Sequence, residues 1–306
     1  MSGTPAGTPM NVPNPHNRAL ESIAVIGCSR LARELATLAS FNSLKVFLYC
    51  ETEQLADEAM ADIQQELDFK VSRWTISNAE SKALIARIHA KTEFDPSHNV
   101  SLAFDCSGYS GDERAQFVSS LDEAFDPSVV IACNLSGTTL ADAVKLAKRP
   151  ERFVGVRFMP PVWKADVVET FTVEKTSGAA YDFLRTFIEK VGMNPHLLED
   201  VAGNVSARVF SALFIETVKI IEQQNIEPAA ADELIKDLFG MRFGPLEMAD
   251  RIGLDNVRDW CERIAEAHGR EDLRPPKLLE DLVDRMSLGL DCGRGFHSYD
   301  DSDKRG

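Results

Sequence analysis

Apolar residues fall in short runs separated by amphipathic stretches over the first two-thirds of the chain. SIAVIGCS (22–29) is a buried-strand pattern ending in small residues after a glycine. LARELATLASF (31–41) follows, with Leu31, Leu35 and Leu38 at helical spacing. KVFLYC (45–50) reads as the next strand and QLADEAMADIQQELD (54–68) as the next helix. VSLAFDCSG (100–108), SVVIACNLSG (128–137), FVGVRFM (153–159) and VVETFTVEK (167–175) add strands, and ERAQFVSSLDEAF (113–125) adds a helix. Strands alternating with helices predict a mostly parallel sheet covered on both faces. Near Glu199 the spacing turns helical throughout: NVSARVFSALFIETVKIIEQQ (204–224), then ADELIKDLF, PLEMADRI, VRDWCERIAEAH and PKLLEDLVDRMS, set apart by glycine and proline. The expected organisation is a disordered leader over 1–20, a sheet domain over 21–199, a helical domain over 200–300 and a tail over 301–306.

Composition adds limits. Hydrophobic residues make up 44% and charged residues 26%, which are globular values. No apolar run approaches the ~20 residues of a membrane helix. The formal net charge of -15 makes the chain a poor partner for nucleic acid or anionic membranes. It also means that any phosphate site has to be built locally. The cysteines Cys28, Cys50, Cys106, Cys133, Cys261 and Cys292 form no CxxC pair and no metal-ligand spacing. They are expected to be free thiols, several of them packed as small hydrophobes. With no signal-peptide pattern in the leader, a reducing cytoplasm is the expectation.

Candidate chemistry begins at the first turn. A strand, a glycine turn and a helix make the layout in which backbone N–H groups and a helix N-terminus meet a pyrophosphate. The usual pattern is GxGxxG or GxGxxA. Here it is Gly27-Cys28-Ser29-Arg30-Leu31-Ala32, with serine at the second glycine. The acid that grips a ribose is expected at the end of the second strand. Cys50 holds that position, and Glu51 follows one residue late. An acid there favours NAD over NADP, because it repels a 2′-phosphate. The competing reading is a strand–helix turn with no ligand; the surrounding βαβ pattern favours the cofactor. The fold class is therefore α/β: a Rossmann-type, mostly parallel sheet domain followed by an all-helical C-terminal domain.

Three later segments carry a resemblance. KRPERFVGVRFMPPVWKADVVET (148–170) is similar to RPERxxGxHFFNPVxxxxLVE, GPLEMADRIGLDNV (244–257) to GPFELxDxxGLD, and RPPKLLEDLVDRMSLGLDCGRGFHSY (274–299) to PPxLLxxLVxxxxLGxKxGxGFYxY. In this order and spacing they resemble the L-3-hydroxyacyl-CoA dehydrogenase family over roughly residues 21–300. The resemblance implies hydride transfer between NAD and the C3 hydroxyl of an acyl-CoA, and a homodimer formed through the helical domain. In that family a histidine takes the hydroxyl proton, a glutamate orients it, and a serine and an asparagine hold the substrate oxygen. The serine falls on Ser136 and the glutamate on Glu169. The histidine falls on Arg157, its neighbouring asparagine on Pro160, and the substrate-holding asparagine on Ala207. The ExxxENxxxK stretch falls on DCSGYSGDERAQF (105–117), a poor match. None of His16, His89, His98, His196, His268 and His297 is placed as a substitute base.

Arginine keeps its proton at any working pH, so Arg157 is no general base. Three readings remain. It polarises a ketone oxygen during reduction; it binds a carboxylate or phosphate with two prongs; or it pairs with Glu169 in a protein without turnover. The site expectation is Ser136, Arg157 and Glu169 for the chemistry, and Gly27, Cys28, Ser29, Arg30, Leu31 and Glu51 for the cofactor. The leading expectation is an NAD-dependent oxidoreductase acting on a 3-hydroxyacyl-CoA or a related hydroxy acid. The alternative is a homologue that keeps the fold and dimer and has lost the reaction. Trp163 is read as packing, and the lysines and arginines mark no phosphate patch.

Overall fold

The computed structural model describes residues 19–135, 137–300 and 303. The expectations placed on the leader before residue 19, His16 included, on Ser136 and on most of the tail lie outside the described residues.

Eight strands form one sheet: β1 Ser22–Ile26, β2 Lys45–Tyr49, β3 Ile88–Lys91, β4 Leu102–Asp105, β5 Val130–Asn134, β6 Phe153–Arg157, β7 Val167–Phe171 and β8 Asn194–Leu198. Their spatial order is β3-β2-β1-β4-β5-β6-β7-β8. All neighbours are parallel except β6 and β7, which run antiparallel. Because the order reverses at β1, the connections leaving β1 and β4 diverge to opposite faces and leave a crevice at the carboxyl ends. The helices on this part are α1 Arg30–Phe41, α2 Glu53–Ser72, α3 Asn78–Ile85, α4 Gly111–Ala124, the short α5 Leu140–Ala143, and α6 Gly178–Lys190. Ile23, Val25, Leu35, Leu48 and Phe104 centre the apolar layer on one face of the sheet. Ala24, Phe47, Ile131, Phe153 and Phe171 centre the layer on the other. The alternation along β1, with Ile23 and Val25 on one side and Ala24 and Ile26 on the other, gives a strand buried on both faces its continuous apolar run.

The remaining chain is helical: α7 Ser206–Gln224, α8 Pro228–Phe239, α9 Pro245–Ile252, α10 Leu254–His268 and α11 Lys277–Asp284. Its own core gathers Phe214, Leu246, Val257, Trp260, Ile264 and Leu279. Buried carboxylates pin its loops. Asp250 accepts from the N–H groups of Phe296 and His297, both at 3.0 Å, and from the Tyr299 hydroxyl at 2.8 Å. Asp232 accepts from Leu246 and Glu247 N–H at 2.9 and 2.7 Å and meets His297 Nε2 at 2.8 Å.

This network fixes a pH dependence. Burial raises Asp250 to about 6, so its ionisation erodes stability between the ordinary aspartate range and that value. The hydrogen bond to Asp232 raises His297 above its ordinary value of 6.5. A raised histidine contributes fully below the unfolded value and loses its contribution as pH climbs through the folded one. The melting temperature is therefore expected to fall as pH rises above the ordinary histidine value of 6.5, and His297→Gln is expected to flatten that upper decline. Thermal scans across pH 6–9 check it; an unchanged slope in the variant assigns the decline elsewhere.

Candidate functional site

At the end of β1, Gly27 adopts φ +115°, and a Cβ there would stand 2.6 Å from the Cys106 carbonyl oxygen. The cradle is built for a residue without a side chain. Gly27→Ala is expected to cost about 1–3 kcal/mol in stability and to weaken ligand binding at the turn, read by urea unfolding and by NADH titration of the same sample. Ser29, at the second-glycine position, caps α1: its hydroxyl accepts from Ala32 N–H at 3.4 Å. Its side chain is thus engaged with the helix, and the opening turn of α1 still leaves N–H groups for an anion.

Two chambers open beside this turn. One, about 300 Å³, is lined by Gly27, Cys28, Cys50, Glu51, Phe94 and Tyr109. The other, about 350 Å³, is lined by Ser29, Leu31, Asn134, Phe158, Pro160 and Trp260. Ser29, Cys106, Ser107 and Gly108 line both. Glu51, one residue late in the sequence pattern, stands in the first chamber and accepts from the Tyr109 hydroxyl at 3.2 Å. A glycine cradle, a helix N-terminus, an acid in one chamber and an apolar wall in the other fit a two-ended ligand joined by phosphates.

One expectation is corrected here. Cys28 and Cys50 are joined as a disulfide, with Cα atoms 5.6 Å apart. Their separation of 22 residues hides the pairing. The register Ile26↔Tyr49 creates it, because both chains leave adjacent parallel strands at the same level. Cys106, Cys133, Cys261 and Cys292 are free.

The second expected constellation stands on β6 and β7. Antiparallel register places Arg157 directly opposite Glu169, where side chains share a face. Arg157 is 2% exposed, and its Nε lies 3.4 Å from Glu169 Oε2. Glu169 also accepts from the Ser206 N–H at 2.8 Å and the Ser206 hydroxyl at 2.9 Å, at the start of α7. The guanidinium sits 5.3 Å from the Trp260 ring centre, and Nη2 reaches Asn204 Oδ1 at 3.5 Å. Nε and Nη1 make no hydrogen bond among the described residues. Burial lowers Arg157 to about 10 while Glu169 opposes the fall, so it remains a cation at neutral pH. Ala207 is buried in the helical core and offers no polar group. Asn204, in a left-handed turn at φ 41°, faces Arg157 instead, which no motif announced.

Neither chamber is lined by a histidine. His98 stacks on Phe47 at 3.9 Å, His268 meets the Ala202 carbonyl and His297 meets Asp232. In the poorly matching stretch, Arg114 is buried and bridges Asp105 at 2.8 Å and the Asn134 carbonyl at 2.7 Å, fixing the ends of β4 and β5 beneath the chambers. Glu34 of α1 accepts from Val162 N–H at 2.7 Å and ties the PPV turn to the phosphate helix.

A cationic patch also escaped the sequence. Trp163, exposed, lies 4.2 Å from Lys70 Nζ and 4.4 Å from Lys164 Nζ. Phe243 lies 4.2 Å from the Arg251 guanidinium and 5.5 Å from Lys164 Nζ. Arg242 donates to the Lys164 carbonyl at 2.9 Å. Partial burial lowers Lys164, and Arg251, Arg242 and Lys70 push the same way. Arg251 also lines the second chamber, and it pairs with Glu247 at 3.0 Å as Lys70 does with Glu66 at 3.2 Å. Four cations spread between positions 70 and 251 leave no local signature.

Comparison with known proteins agrees with this layout. The family profile described as 3-hydroxyacyl-CoA dehydrogenase, NAD binding domain, matches residues 22–201. The C-terminal domain profile of the same description matches residues 203–299. The chain is 25% identical over 282 residues to a probable 3-hydroxybutyryl-CoA dehydrogenase of Bacillus subtilis, covering 92% of this chain and 98% of that protein. It is 22% identical to the mitochondrial hydroxyacyl-coenzyme A dehydrogenase of Mus musculus, covering 92% and 91%. Among solved structures, the (S)-3-hydroxybutyryl-CoA dehydrogenase PaaH1 from Ralstonia eutropha superimposes with a TM-score of 0.77 at 22% identity, over 92% of this chain and all 100% of that one. FadB2 of M. tuberculosis gives 0.83 at 21%, with the same coverage of 92% and 100%. These structural likenesses speak for the fold.

Proposed function

The chain belongs to the 3-hydroxyacyl-CoA dehydrogenase family, and from that premise we propose an NAD-linked oxidoreductase of 3-hydroxyacyl or 3-ketoacyl thioesters in which a fixed cation replaces the base. The observation that carries this reading is the groove: two chambers across one phosphate turn, the second lined by Arg251, whose guanidinium shares the Phe243 ring with Lys164. Gly27, Cys28, Ser29, Arg30, Leu31 and Glu51 would hold the dinucleotide, which supplies or accepts the hydride when bound. The cationic patch suits the phosphates of an acyl-CoA, and the rings suit stacking on its base.

In this reading Ser136 holds the substrate oxygen. Arg157 supplies positive charge behind the chamber wall, and Glu169 fixes that charge in place. A preorganised cation favours the negative charge that develops on a ketone oxygen as hydride arrives. It cannot remove a proton from an alcohol. Reduction is therefore the favoured direction, with the proton relayed by Ser136 or water. The helical part would pair two copies, since Leu234, Leu238 and Phe239 on one end of α8 are 57%, 75% and 75% exposed. The protein is read as cytoplasmic. Among the described residues, no helix is long and apolar enough to cross a membrane.

The test is a fluorescence titration with NADH and with NADPH, followed by NADH oxidation with a 3-ketoacyl thioester. Expected are micromolar NADH affinity, weaker NADPH affinity because of Glu51, and turnover faster in reduction than in oxidation. No binding up to millimolar NADH would sink the reading.

One observation favours a second reading. Arg157 is buried against a half-buried Glu169 and the pair lines neither chamber, as expected of a homologue that keeps its ligand groove without the reaction. Tight NADH binding with no turnover on any ketoacyl thioester or keto acid would select it.

A further inference from the structure

Cys28 and Cys50 stand apart from the hydride chemistry, yet they occupy its cofactor end. Cys28 lies between Gly27 and the α1 cap, and Cys50 lies immediately before Glu51. Both line the first chamber. Cys28 is half-buried and Cys50 is buried, so the pair is approached from the chamber on the Cys28 side.

We propose that this pair is a redox-modified site within the cofactor chamber, that its co-reactant is a low-molecular-weight disulfide, and that the bridged form binds the dinucleotide more tightly than the open form. The second half rests on the dinucleotide reading above. In the exchange, one cysteine thiolate attacks a sulfur of the small disulfide and releases one thiol. The second cysteine then attacks the mixed disulfide and releases the other. Two protein thiols are oxidised, one small disulfide is reduced to two thiols, and the two protons pass to the departing sulfurs.

The direction follows from what the bridge ties together. The turn that would meet the phosphates and the strand end that carries Glu51 belong to separate segments. Outside the sheet ladder, the contact from Gly27 N–H to the Tyr49 carbonyl at 2.9 Å joins them, and the disulfide adds a covalent tie. A ligand gripping both ends must otherwise order them at its own expense, and prior fixation removes that loss. Cys106 lines the same chamber, but burial and Asp105 beside it hold its thiol far above the range in which a thiolate forms. The pair is therefore the reactive sulfur of this chamber.

The experiment equilibrates the full chain in buffers of oxidised and reduced glutathione, traps thiols by alkylation, and maps them by mass spectrometry while NADH affinity is titrated in each buffer. Expected is a reversible intramolecular bridge at Cys28 and Cys50 alone, told by mass from a glutathione adduct on the exposed Cys292, with NADH bound about tenfold more weakly in the open form. By reciprocity, saturating NADH shifts the half-bridged point toward more reducing buffer by the same factor. The double variant Cys28→Ser with Cys50→Ser locks the open-form affinity and abolishes the redox dependence, whereas a lone cysteine would stop at the mixed disulfide. A bridge that never opens in reduced glutathione overturns the modification site. Equal NADH affinity in both forms, tighter binding by the open form, or redox dependence that survives in the double serine variant overturns the coupling. Absence of NADH binding in both forms overturns the dinucleotide reading as well as the coupling, and the alkylation map of the same samples still decides the bridge.

Discussion

Replacing Glu169 with alanine is expected to lower the stability of the protein by about 3–5 kcal/mol, the range for stranding one partner of a buried ion pair. Arg157 is 2% exposed and meets no second carboxylate among the described residues. Its Nε and Nη1 already lack hydrogen bonds, so no partner stands by to replace the lost one. The same change strips the acceptor from both Ser206 donors at the start of α7. Urea unfolding measures the loss. The decisive control is the double variant Arg157→Met with Glu169→Gln, which removes both charges and is expected to recover most of the stability. A loss below about 1 kcal/mol in Glu169→Ala, the range of exposed pairs, would mean that water reaches the guanidinium.

Arg157→His is expected to raise alcohol oxidation by about 10²-fold or more, the usual worth of a general base. An imidazole titrates near neutral pH, and at position 157 it would face the Glu169 carboxylate across the β6–β7 pair. The shorter side chain would also leave room beside Trp260, over which the guanidinium now lies. The signature is a rate that climbs with pH as the imidazole loses its proton, measured as NAD reduction with a 3-hydroxyacyl thioester. A variant that folds and binds NADH but shows no rate at any pH would shift the blame to Ala207, where the substrate-holding asparagine is missing. The non-catalytic reading would then gain.

The contrast between these two residues shows what could be read from the chain. Arg157 was visible as a substitution and Glu169 as a retained residue within a familiar segment, because the flanking residues RPERFVG and VVE fix the frame. Their contact was not visible, because it depends on the antiparallel register of β6 and β7. The strands β1, β2, β4 and β5 announced themselves as apolar runs, being buried on both faces. The edge strands β3, IHAK, and β8, NPHLL, carry polar residues and a proline, and their pattern is that of a loop. Helix α6 does carry a readable stripe, Ala180, Phe183, Leu184, Phe187 and Ile188. The Cys28–Cys50 bridge and the cationic patch were illegible for one reason. Each joins segments far apart in the chain, and spacing rules see only neighbours.

The second chamber is closed from both ends of the chain. Ser29, Arg30 and Leu31 form one wall, Leu288 and Asp291 part of another, and Arg30 Nη1 meets Asp291 Oδ1 at 3.3 Å across 261 positions. Chains grow from the N-terminus, and early segments fold as they emerge. The sheet and its phosphate turn are therefore complete while the helical part is still being made, but the chamber beside that turn is not. It waits for Asp250 to capture Phe296 and His297, which draws Asp291 into place. During synthesis the early half exposes an unfinished groove, and the segment from Leu288 to His297 is the one that closes it. Loss of the Phe296–His297 anchor would therefore be felt at Arg30, on the first helix of the sheet domain.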